Sequence, residues 1–541
     1  MTDYRVLAEA LEAAAESRGK LEKIARLSEA LARVENAELP AAARLLSGSP
    51  FAEHEAAVTS VGWASVVRAA EEVTGWDDET LRACTVAIGD LGEAVSLLLP
   101  KERAESLSIA EVEAFFRGLA TAKKPADKRE ALAAILRRTS AVEAKYLLKT
   151  LSGGLRVGAD VTTVEEAVAA AFGADREAVA RARRDSGDIG ETALAAKTGR
   201  LAEIQFRLFH PIGFMLASPI ETAEEIEAEL PDLAVEDKFD GIRAHAHKSG
   251  DRVALFSRTL DDVTAQFPDV AAALAAGPGM LLLDGEIVAW EGERPASFFR
   301  LQRRLGRKAP EADLLAEIPA VFIAYDCLAV DDAPLFETPW SERRRSLAAI
   351  AAASGIRTSE VFSAASAEEL EDLFAAARAR NNEGLMLKRR DSLYQAGKRG
   401  RAWRKWKKPL ATLDVVVTAV EQGHGRRAGM LSDYTFAVRD TGEEGERFVN
   451  IGKAYSGLSD EEIRTMGTVF RRITTGKYGP VRAVRPEVVL EVSFDSIQKS
   501  ARHKSGYALR FPRIVRLRPD KPVAEVATLE DVRRIHEKLV S

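Results

Sequence analysis

Cysteine is almost absent from this chain, because Cys84 and Cys327 are the only two among 541 residues. Two cysteines exclude a disulfide framework and a four-cysteine zinc site, and their scarcity suits a reducing compartment. Long apolar runs are lacking too, since none approaches the length of about 20 residues that a membrane-spanning helix needs. Residues 1–5 lack the apolar core of a signal peptide. The sequence therefore predicts a cytoplasmic protein with no membrane partner.

An excess of positive charge is also lacking. The formal net charge is −6 and the isoelectric point about 5.9, so bulk charge does not indicate a nucleic-acid partner. Any surface for an anionic polymer must be a local stripe of Lys and Arg. Charged residues make up 30% of the chain and hydrophobic residues 46%, which is ordinary for a globular protein. The length predicts three or four domains, each able to bury a core.

The pattern of apolar residues changes twice along the chain. Up to about residue 171 it has helical spacing, as in the stripes Leu7, Leu11, Ala14 and Leu21, Ile24, Leu27, Leu31. The helical pattern stops near Pro211, and beyond Pro409 short β patterns separated by Gly-rich turns dominate. We predict a multidomain α+β protein with an all-α domain at 1–205, an α+β domain at 206–408 and a C-terminal β-barrel of the OB-fold type at 409–541.

The stretch 234–243 holds the residue on which the functional hypothesis depends. The apolar residues 233–235 predict a strand that runs into the core, and the Asp-Gly pair at 240–241 predicts a tight turn beyond it. Lys238 therefore lies where the strand ends. A lysine that is partly desolvated and close to other cations has a lowered pKa and can act as a nucleophile. On this pattern alone, a solvated surface lysine is the alternative interpretation.

The residues around Lys238 form a longer motif. Glu236, Lys238, Asp240, Gly241 and Arg243 match the pattern Glu-x-Lys-x-Asp-Gly-x-Arg. On these residues the chain resembles the covalent nucleotidyltransferases, a superfamily that contains DNA ligases, RNA ligases and mRNA capping enzymes. Further motifs of the superfamily follow in order and contribute Arg258, Glu286, Tyr325 (with Phe322 as the alternative aromatic), the segment Glu383–Lys388, Lys405, Lys407, Asp520 and Lys521. Alternation along the predicted strand places Arg401 on the same side as Lys405 and Lys407.

The glycine-rich segment 151–158 separates the rival families. By its pattern it is an interhelical turn, but it also resembles the Gly-Gly-x-Leu-Arg-x-Gly segment of the helical DNA-binding domain in larger ATP-dependent DNA ligases. That resemblance favours an ATP-dependent DNA ligase over a GTP-using capping enzyme or an RNA ligase. The intact lysine motif argues against a DNA-binding scaffold with a degenerate core. The scarcity of cysteine argues against the NAD-dependent ligases, which carry a cysteine-ligated zinc finger.

The resemblance implies a reaction and a set of roles. ATP would form a covalent adenylate on Lys238, and nicked duplex DNA would then be sealed in DNA replication, repair or recombination. Glu236 would contact the adenine, Tyr325 would stack on it, and Arg258 would contact the ribose or a phosphate. Glu286 and Glu383 would hold Mg²⁺, with Mn²⁺ as an alternative. The other residues expected to bind the nucleotide are Arg243, Arg401, Lys405, Lys407, Asp520 and Lys521.

The resemblance also implies how the protein would bind DNA, how the pKa of Lys238 would be lowered and how the C-terminal domain would move. A monomer would encircle double-stranded DNA and bind its phosphates without sequence specificity, in the cytoplasm of a prokaryote and close to the nucleoid. Lys405, Lys407 and Arg243 are expected to lower the pKa of Lys238 from its ordinary value of about 10.4. The final motif, with Asp520 and Lys521, is expected to close over ATP and then swing away.

Overall fold

The computed structural model describes residues 1–55, 57–99, 107–307, 309–331, 333–408, 411–423, 427, 429–442, 445 and 447–540, with Phe299 and residues 538–540 described by their backbone alone. Within these ranges, no helix combines the length and the apolar character needed to cross a membrane.

The N-terminal region is helical, as the sequence predicts. Its helices are α1 Arg5–Glu16, α2 Lys20–Ala32, α3 Leu39–Leu46, α4 Trp63–Thr74, α5 Asp78–Ile88, α6 Leu91–Leu98, α7 Ile109–Thr121, α8 Pro125–Leu136, α9 Ala141–Leu151, α10 Val161–Phe172, α11 Arg176–Ser186 and α12 Ile189–Thr198. Aspartate side chains accept first-turn N–H groups at the starts of α5, α6, α10, α11 and α12, which satisfies donors that a helix leaves free.

The predicted stripes form part of one core shared by these helices. Leu7, Leu11 and Leu27 are buried within it, and burial of such a side chain stabilises the fold by roughly 1.5–3 kcal/mol. Leu21 is the exception, since it lies in the first turn of α2 and is 75% exposed. A helical stripe predicted from spacing alone was one residue too long there.

The middle region contains two antiparallel-rich sheets and the helices that cover them. Its strands are β1 Leu216–Ile220, β2 Leu233–Lys238, β3 Ile242–Ser249, β4 Arg252–Ser257, β5 Met280–Glu291, β6 Arg294–Pro295, β7 Ala320–Val330, β8 Ala333–Pro334, β9 Arg357–Thr358, β10 Val361–Phe362, β11 Gly384–Arg389 and β12 Arg399–Trp406. Its helices are α13 Pro268–Ala275, α14 Phe298–Gln302, α15 Ala312–Glu317, α16 Trp340–Ser354 and α17 Ala367–Ala379.

The order of the strands brings the sequence motifs together. One sheet has the order β1-β12-β11-β2-β10, and the other has the path β4-β3-β5-β7-β8, with β6 beside β5 and β9 beside β7. Strand β2 passes to β3 through the turn at 239–241, so the lysine motif crosses from one sheet to the other. Buried side chains pack beneath both sheets.

The C-terminal region is rich in strands. They are β13 Ala411–Gln422, β14 Leu431–Asp440, β15 Arg447–Ala454, β16 Thr474–Tyr478, β17 Val481–Val484, β18 Val489–Phe494, β19 Ser496–Lys499, β20 Tyr507–Arg510 and β21 Arg513–Leu517, with α18 Asp460–Arg472 and α19 Leu529–Val540. Along one edge, β13 pairs first with β18 and then with β17, while β14 pairs along its other edge. The sheet thus wraps around the main core of this region, and a smaller buried cluster includes Val416, Ala437, Val489 and Val526.

The multidomain α+β class predicted from the sequence is confirmed by this succession of regions. The predicted domain limits remain predictions. The first, at 205/206, lies between α12 and β1. The second, at 408/409, lies at the edge of the described residues, because 409 and 410 fall outside them.

Candidate active site

A cavity of about 610 Å³ lies between the two sheets of the middle region, and the C-terminal region covers one side of it. Strands β2, β3, β5, β7, β11 and β12 each bring at least one polar side chain to its wall. The predicted site residues on that wall are Glu236, Lys238, Arg243, Arg258, Glu286, Tyr325, Glu383, Lys405 and Lys407. Most of the residues singled out by the sequence are therefore gathered in one place.

Lys238 is the last residue of β2, as the sequence predicts. Its side chain is 23% exposed, and its ammonium group forms an ion pair with Glu383. The backbone N–H of Glu383 also donates to the Lys238 carbonyl, with 2.7 Å between N and O. The first residue of β11 pairs with Lys238 across the sheet. The pairing of two strands thus fixes the amine and the carboxylate side by side.

Two glycines allow the backbone around Lys238 and Glu383 to approach the neighbouring strands β5 and β12 closely. A Cβ atom at Gly241 would lie 2.3 Å from the carbonyl oxygen of Ile287, and one at Gly384 would lie 2.2 Å from that of Trp406. Any larger residue would push backbone against backbone. The glycines beside Asp240 and Glu383 are therefore needed for close packing around the lysine.

The pKa of Lys238 departs from the sequence-based expectation. Burial lowers the pKa of the amine, but the carboxylates of Glu383 and Glu286 outweigh burial and leave the pKa raised. The expected lowering is wrong because the folded chain brings the carboxylates of Glu383 and Glu286 beside the amine, and the expectation counted only the nearby cations and burial. Lys405 shows the lowered pKa instead, through burial and the nearby charge of Lys238.

The carboxylates of the cavity ionise at different pH values. Burial raises the pKa of Glu286 to about 8, even though Lys238 and Arg243 are close. Burial and the neighbouring Glu383 raise the pKa of Asp240 to about 6. Burial also disfavours the charged form of Glu383, but the ion pair with Lys238 outweighs burial and lowers the pKa of Glu383. The cluster thus holds one firmly charged carboxylate and two that gain or lose a proton near neutral pH.

A second ion pair lies deeper in the cavity. Glu236 Oε2 accepts from Lys388 Nζ at 2.6 Å, and both side chains are almost fully buried. The rings of Tyr325 and Trp403 surround this ammonium, with centroids 4.5 and 4.4 Å from Nζ. The other oxygen, Glu236 Oε1, has no hydrogen-bond partner among the described residues. A buried acceptor beside aromatic rings is suited to a flat ligand that carries an N–H group.

Comparison with known protein families matches three successive parts of the chain. Residues 3–169 match a family described as DNA ligase N terminus, residues 214–407 match ATP dependent DNA ligase domain, and residues 427–521 match ATP dependent DNA ligase C terminal region. This chain belongs to the ATP-dependent DNA ligase family. It is therefore an enzyme of the ligase class that uses ATP, as the sequence motifs indicated.

Two relatives agree with that assignment, and a solved structure has a similar fold. A probable DNA ligase of Koribacter versatilis is 44% identical, over 98% of this chain and 96% of the relative. A DNA ligase of Methanoculleus marisnigri is 34% identical, over 95% of this chain and 94% of the relative. The solved structure named Pmar-Lig_PreS3 has a TM-score of 0.60 at 17% identity and covers 95% of this chain and 99% of its own. At that identity the structural likeness shows the fold alone.

Arg401 is not brought to the cavity of the ligase. Simple alternation along β12 predicts that it shares a face with Trp403, Lys405 and Lys407. The pairing with β1 is irregular, however: Ala217 lies opposite Gly400, and the next residue, Ser218, lies opposite Arg404. The extra residues of β12 form a bulge that breaks the alternation. Arg399 takes a place on the cavity wall instead.

Asp520 and Lys521 also lie away from the cavity in this arrangement of the ligase. Asp520 pairs with Arg518 at 2.9 Å, and Lys521 pairs with Asp414 at 2.5 Å. The C-terminal residues on the cavity wall are Asp495, Arg510 and Phe511. The structure therefore shows the C-terminal region covering the cavity through a different surface from the one that the motif predicts.

Several residues of the site escaped the sequence reasoning. Asp495 pairs with Lys407, and Arg510 Nη1 lies 3.7 Å from Asp240 Oδ1, so both residues join the C-terminal region to the sequence motifs of the middle region. No short sequence pattern predicts such contacts, because each contact joins residues that are far apart in the chain. Lys388 was inside a recognised motif, but its pairing with Glu236 depends on the register of β11 against β2.

Proposed function

We propose that this ligase seals nicks in duplex DNA, joining a 5′-phosphate to a 3′-hydroxyl, with Lys238 as the covalent carrier of AMP. The observation that supports this most strongly is the placement of the Lys238 amine inside a cavity, between cations from β12 and carboxylates from β5 and the start of β11. A site that places one nucleophile among fixed charges of both signs suits displacement at phosphorus.

The proposed reaction has three displacements. First, Nζ of Lys238 bonds to the α-phosphorus of ATP, pyrophosphate leaves with the electrons of the broken P–O bond, and the amine loses a proton to solvent. Second, a 5′-phosphate oxygen of DNA bonds to the phosphorus of the AMP, and the P–N bond breaks with its electrons on Nζ, which takes up a proton from solvent. Third, the 3′-hydroxyl oxygen bonds to the DNA phosphorus, loses its proton and expels AMP. Such in-line steps depend mainly on positioning and charge stabilisation.

The other residues have roles that follow from their places on the wall. Glu236 Oε1 would accept a hydrogen bond from the adenine amino group, and Tyr325 would stack on the ring. Arg243 and Arg258 would contact the ribose or a phosphate, while Lys405 and Lys407 would neutralise the phosphates. Phe322 packs in the core of the second sheet instead, which favours Tyr325 as the stacking residue. Arg401 is left out of the proposed site.

The cavity also suits a divalent cation, which we take to be Mg²⁺ or, in its place, Mn²⁺. Glu286 and Glu383 offer hard oxygen ligands beside Lys238, and Mg²⁺ is commonly held by one or two carboxylates with water and phosphate oxygens. The raised pKa of Glu286 marks a buried carboxylate whose charge is not fully compensated. The described residues contain no cluster of three or more metal-binding side chains. When bound, the ion would stabilise charge on the phosphates.

Nicked double-stranded DNA is the proposed substrate, held without sequence specificity by a monomer that encircles it. The exposed Arg156, in the turn between α9 and α10, supports a phosphate contact by the helical region, because its side chain is 68% exposed. Cys84 and Cys327 are unpaired, which supports a reducing cytoplasmic location near the nucleoid. The cellular role that we propose is in DNA replication, repair or recombination.

A sealing assay tests this function. The substrate is a duplex with one nick and a labelled 5′-phosphate, and the matched substrate carries the nick between two RNA segments. We expect a longer labelled strand with DNA, ATP and Mg²⁺, and none when ATP is left out. Sealing of the RNA nick alone would show an RNA ligase and would contradict the proposed substrate.

The rate of enzyme adenylation is expected to rise with pH from 6.5 to 9.5. Only the neutral amine of Lys238 is a nucleophile, and a lysine amine with its ordinary pKa of about 10.4 is already mostly protonated over this range. The neighbouring carboxylates of Glu383 and Glu286 raise the pKa of Lys238 further as long as no cation is bound to them. Each pH unit therefore increases the reactive fraction by up to about tenfold. The measurement is the initial rate of protein labelling with α-labelled ATP at each pH.

Transfer of AMP from the enzyme to DNA provides the control for this pH profile. In that step Lys238 is the leaving group, so no deprotonation of its ammonium is required beforehand. We expect the rate of label transfer to nicked DNA to vary less with pH than the rate of labelling. A labelling rate that stays constant between pH 6.5 and 9.5 would contradict attack by the neutral amine of Lys238.

Replacement of Glu236 by Gln is expected to weaken the preference for ATP over GTP. The new side-chain amide would present an N–H donor as well as an oxygen, and Lys388 would lose its charged partner. A buried charge-assisted hydrogen bond contributes about 1.5–3 kcal/mol, so we expect the ratio of kcat/KM values for ATP and GTP to fall by about 10- to 100-fold.

The measurement for Glu236→Gln is the rate of labelling with each nucleotide. The matched control is Glu229→Gln, because Glu229 is the exposed partner of Arg404. An unchanged ratio would argue against contact with the purine.

A further inference from the structure

The guanidinium group of Arg243 is held on the side away from the cavity by a carboxylate, a backbone carbonyl and an aromatic ring. Its Nε and Nη2 atoms donate to the two oxygens of Asp284 at 3.0 and 2.6 Å, and its Nη1 atom donates to the Met215 carbonyl at 2.7 Å. The ring of Phe214 lies 4.9 Å from the guanidinium carbon. A guanidinium has five N–H donors, so three are engaged with the protein while the side chain, 16% exposed, still reaches the cavity.

Tyr394 connects the two groups that hold Arg243. Its hydroxyl lies 2.7 Å from Asp284 Oδ2, 3.2 Å from the Met215 nitrogen and 3.1 Å from His245 Nε2. A carboxylate can only accept, so the hydroxyl hydrogen goes to Asp284. The tyrosine oxygen then accepts from the Met215 N–H, and also from His245, which must carry its proton on Nε2. One hydroxyl thus fixes the carboxylate and the backbone that orient the guanidinium.

The supporting groups are buried and well packed. Tyr394 is 3% exposed, Asp284 and His245 are 0% exposed, and Met215 is 0% exposed. The Phe214 ring is stacked on His245, with centroids 3.8 Å apart and planes inclined by 22°. Phe214 and Met215 belong to the segment that leads from the helical region into β1. The end of this segment therefore packs behind Arg243, which itself lines the cavity.

We propose that Tyr394, together with the Phe214-Met215 segment, is a positioning element that holds Arg243 in the orientation in which it contacts ATP. This inference rests on the proposed function, because it takes Arg243 to bind the nucleotide. Tyr394 does not touch the substrate and acts through Arg243. Its loss should weaken ATP binding while it leaves the chemical step at Lys238 intact.

The test is Tyr394→Phe, which removes one oxygen atom and keeps the ring that packs against Phe336 and Trp403. We expect the KM for ATP in enzyme adenylation to rise about tenfold, with the rate at saturating ATP changed by less than about twofold. The matched control is Tyr146→Phe, because the Tyr146 hydroxyl also donates to a carboxylate, Glu12 Oε2 at 2.9 Å, within the helical region. That variant should leave the KM unchanged.

A double-mutant cycle shows whether Tyr394 acts through Arg243. We expect Arg243→Ala to raise the KM for ATP, and we expect Tyr394→Phe to add no further increase in the Arg243→Ala background. Any of three results would overturn the inference. They are an unchanged KM for ATP in Tyr394→Phe, a fall in only its rate at saturating ATP, and additive effects on KM in the double variant. If the wild-type protein took no label from ATP, both the proposed function and this inference would fail. If the wild type took label and the Tyr394→Phe variant had an unchanged KM, the inference alone would be overturned.

Discussion

Replacement of Lys238 by Ala is expected to abolish enzyme adenylation and to reduce ATP-dependent sealing by about 10⁴-fold or more. Loss of a covalent nucleophile commonly reduces an enzyme's rate by this much or more. The alanine side chain has no lone pair to attack the α-phosphorus. The same variant should still seal nicked DNA that already carries AMP on its 5′-phosphate, because the third displacement uses the 3′-hydroxyl and not the lysine. The measurements are protein labelling and sealing of both substrates.

Lys453→Ala provides the control for this prediction. Lys453 lies on β15 with 40% of its side chain exposed and pairs with Glu421, outside the cavity. We expect that variant to label and seal like the wild type. If Lys238→Ala lost the sealing of adenylated DNA as severely as it lost labelling, Lys238 would be needed for more than nucleophilic attack, and the proposed division of steps would be wrong.

Replacement of Asp520 or Lys521 by Ala is expected to slow enzyme adenylation by about 100-fold, which corresponds to loss of about 2.7 kcal/mol of transition-state stabilisation. In the structure both side chains are paired within the C-terminal region, with Arg518 and Asp414, and they are absent from the cavity wall. Contact with ATP therefore requires the C-terminal region to turn. Sealing of pre-adenylated DNA does not require this contact and should change by only a few-fold.

Asp391→Ala is a close match for Asp520→Ala. Asp391 also pairs with an arginine two residues before it, since Arg389 Nη2 lies 2.8 Å from Asp391 Oδ2 and the aspartate is 68% exposed. It takes no part in the cavity wall, so both reactions should proceed normally in that variant. Equal losses of adenylation and of sealing in Asp520→Ala would contradict a role confined to the first step.

The sequence predicted those parts of the fold and site that depend on local pattern. The strand that ends at Lys238 was predicted from three apolar residues and an Asp-Gly turn, and it ends at that residue. The order of the motifs favoured Tyr325 over Phe322 as the aromatic residue of the site. Tyr325 lines the cavity, whereas Phe322 lies on the opposite face of the strand and packs in the core. The order of the three regions also followed from changes in apolar spacing.

The features that were missed depend on contacts between distant residues or on irregular backbone. A bulge in β12 removes Arg401 from the face that alternation predicts. The pKa of Lys238 is set by two carboxylates that strand pairing brings beside it, and the motif spacing carries no information about those distances. The pairing of Asp240 with Arg510 spans the interface between two regions. A single sequence gives no local signal for any of these.

The most direct test of the central claim is to locate the adenylate by peptide mass spectrometry. The protein is incubated with ATP and Mg²⁺, digested and analysed before and after addition of nicked duplex DNA. Lys405 is the competitor on the same wall, since its pKa is lowered while that of Lys238 is raised. We predict AMP on the peptide that contains Lys238, and its disappearance as the nick is sealed. AMP on Lys405 or Lys407, or AMP on Lys238 that DNA does not remove, would contradict the account.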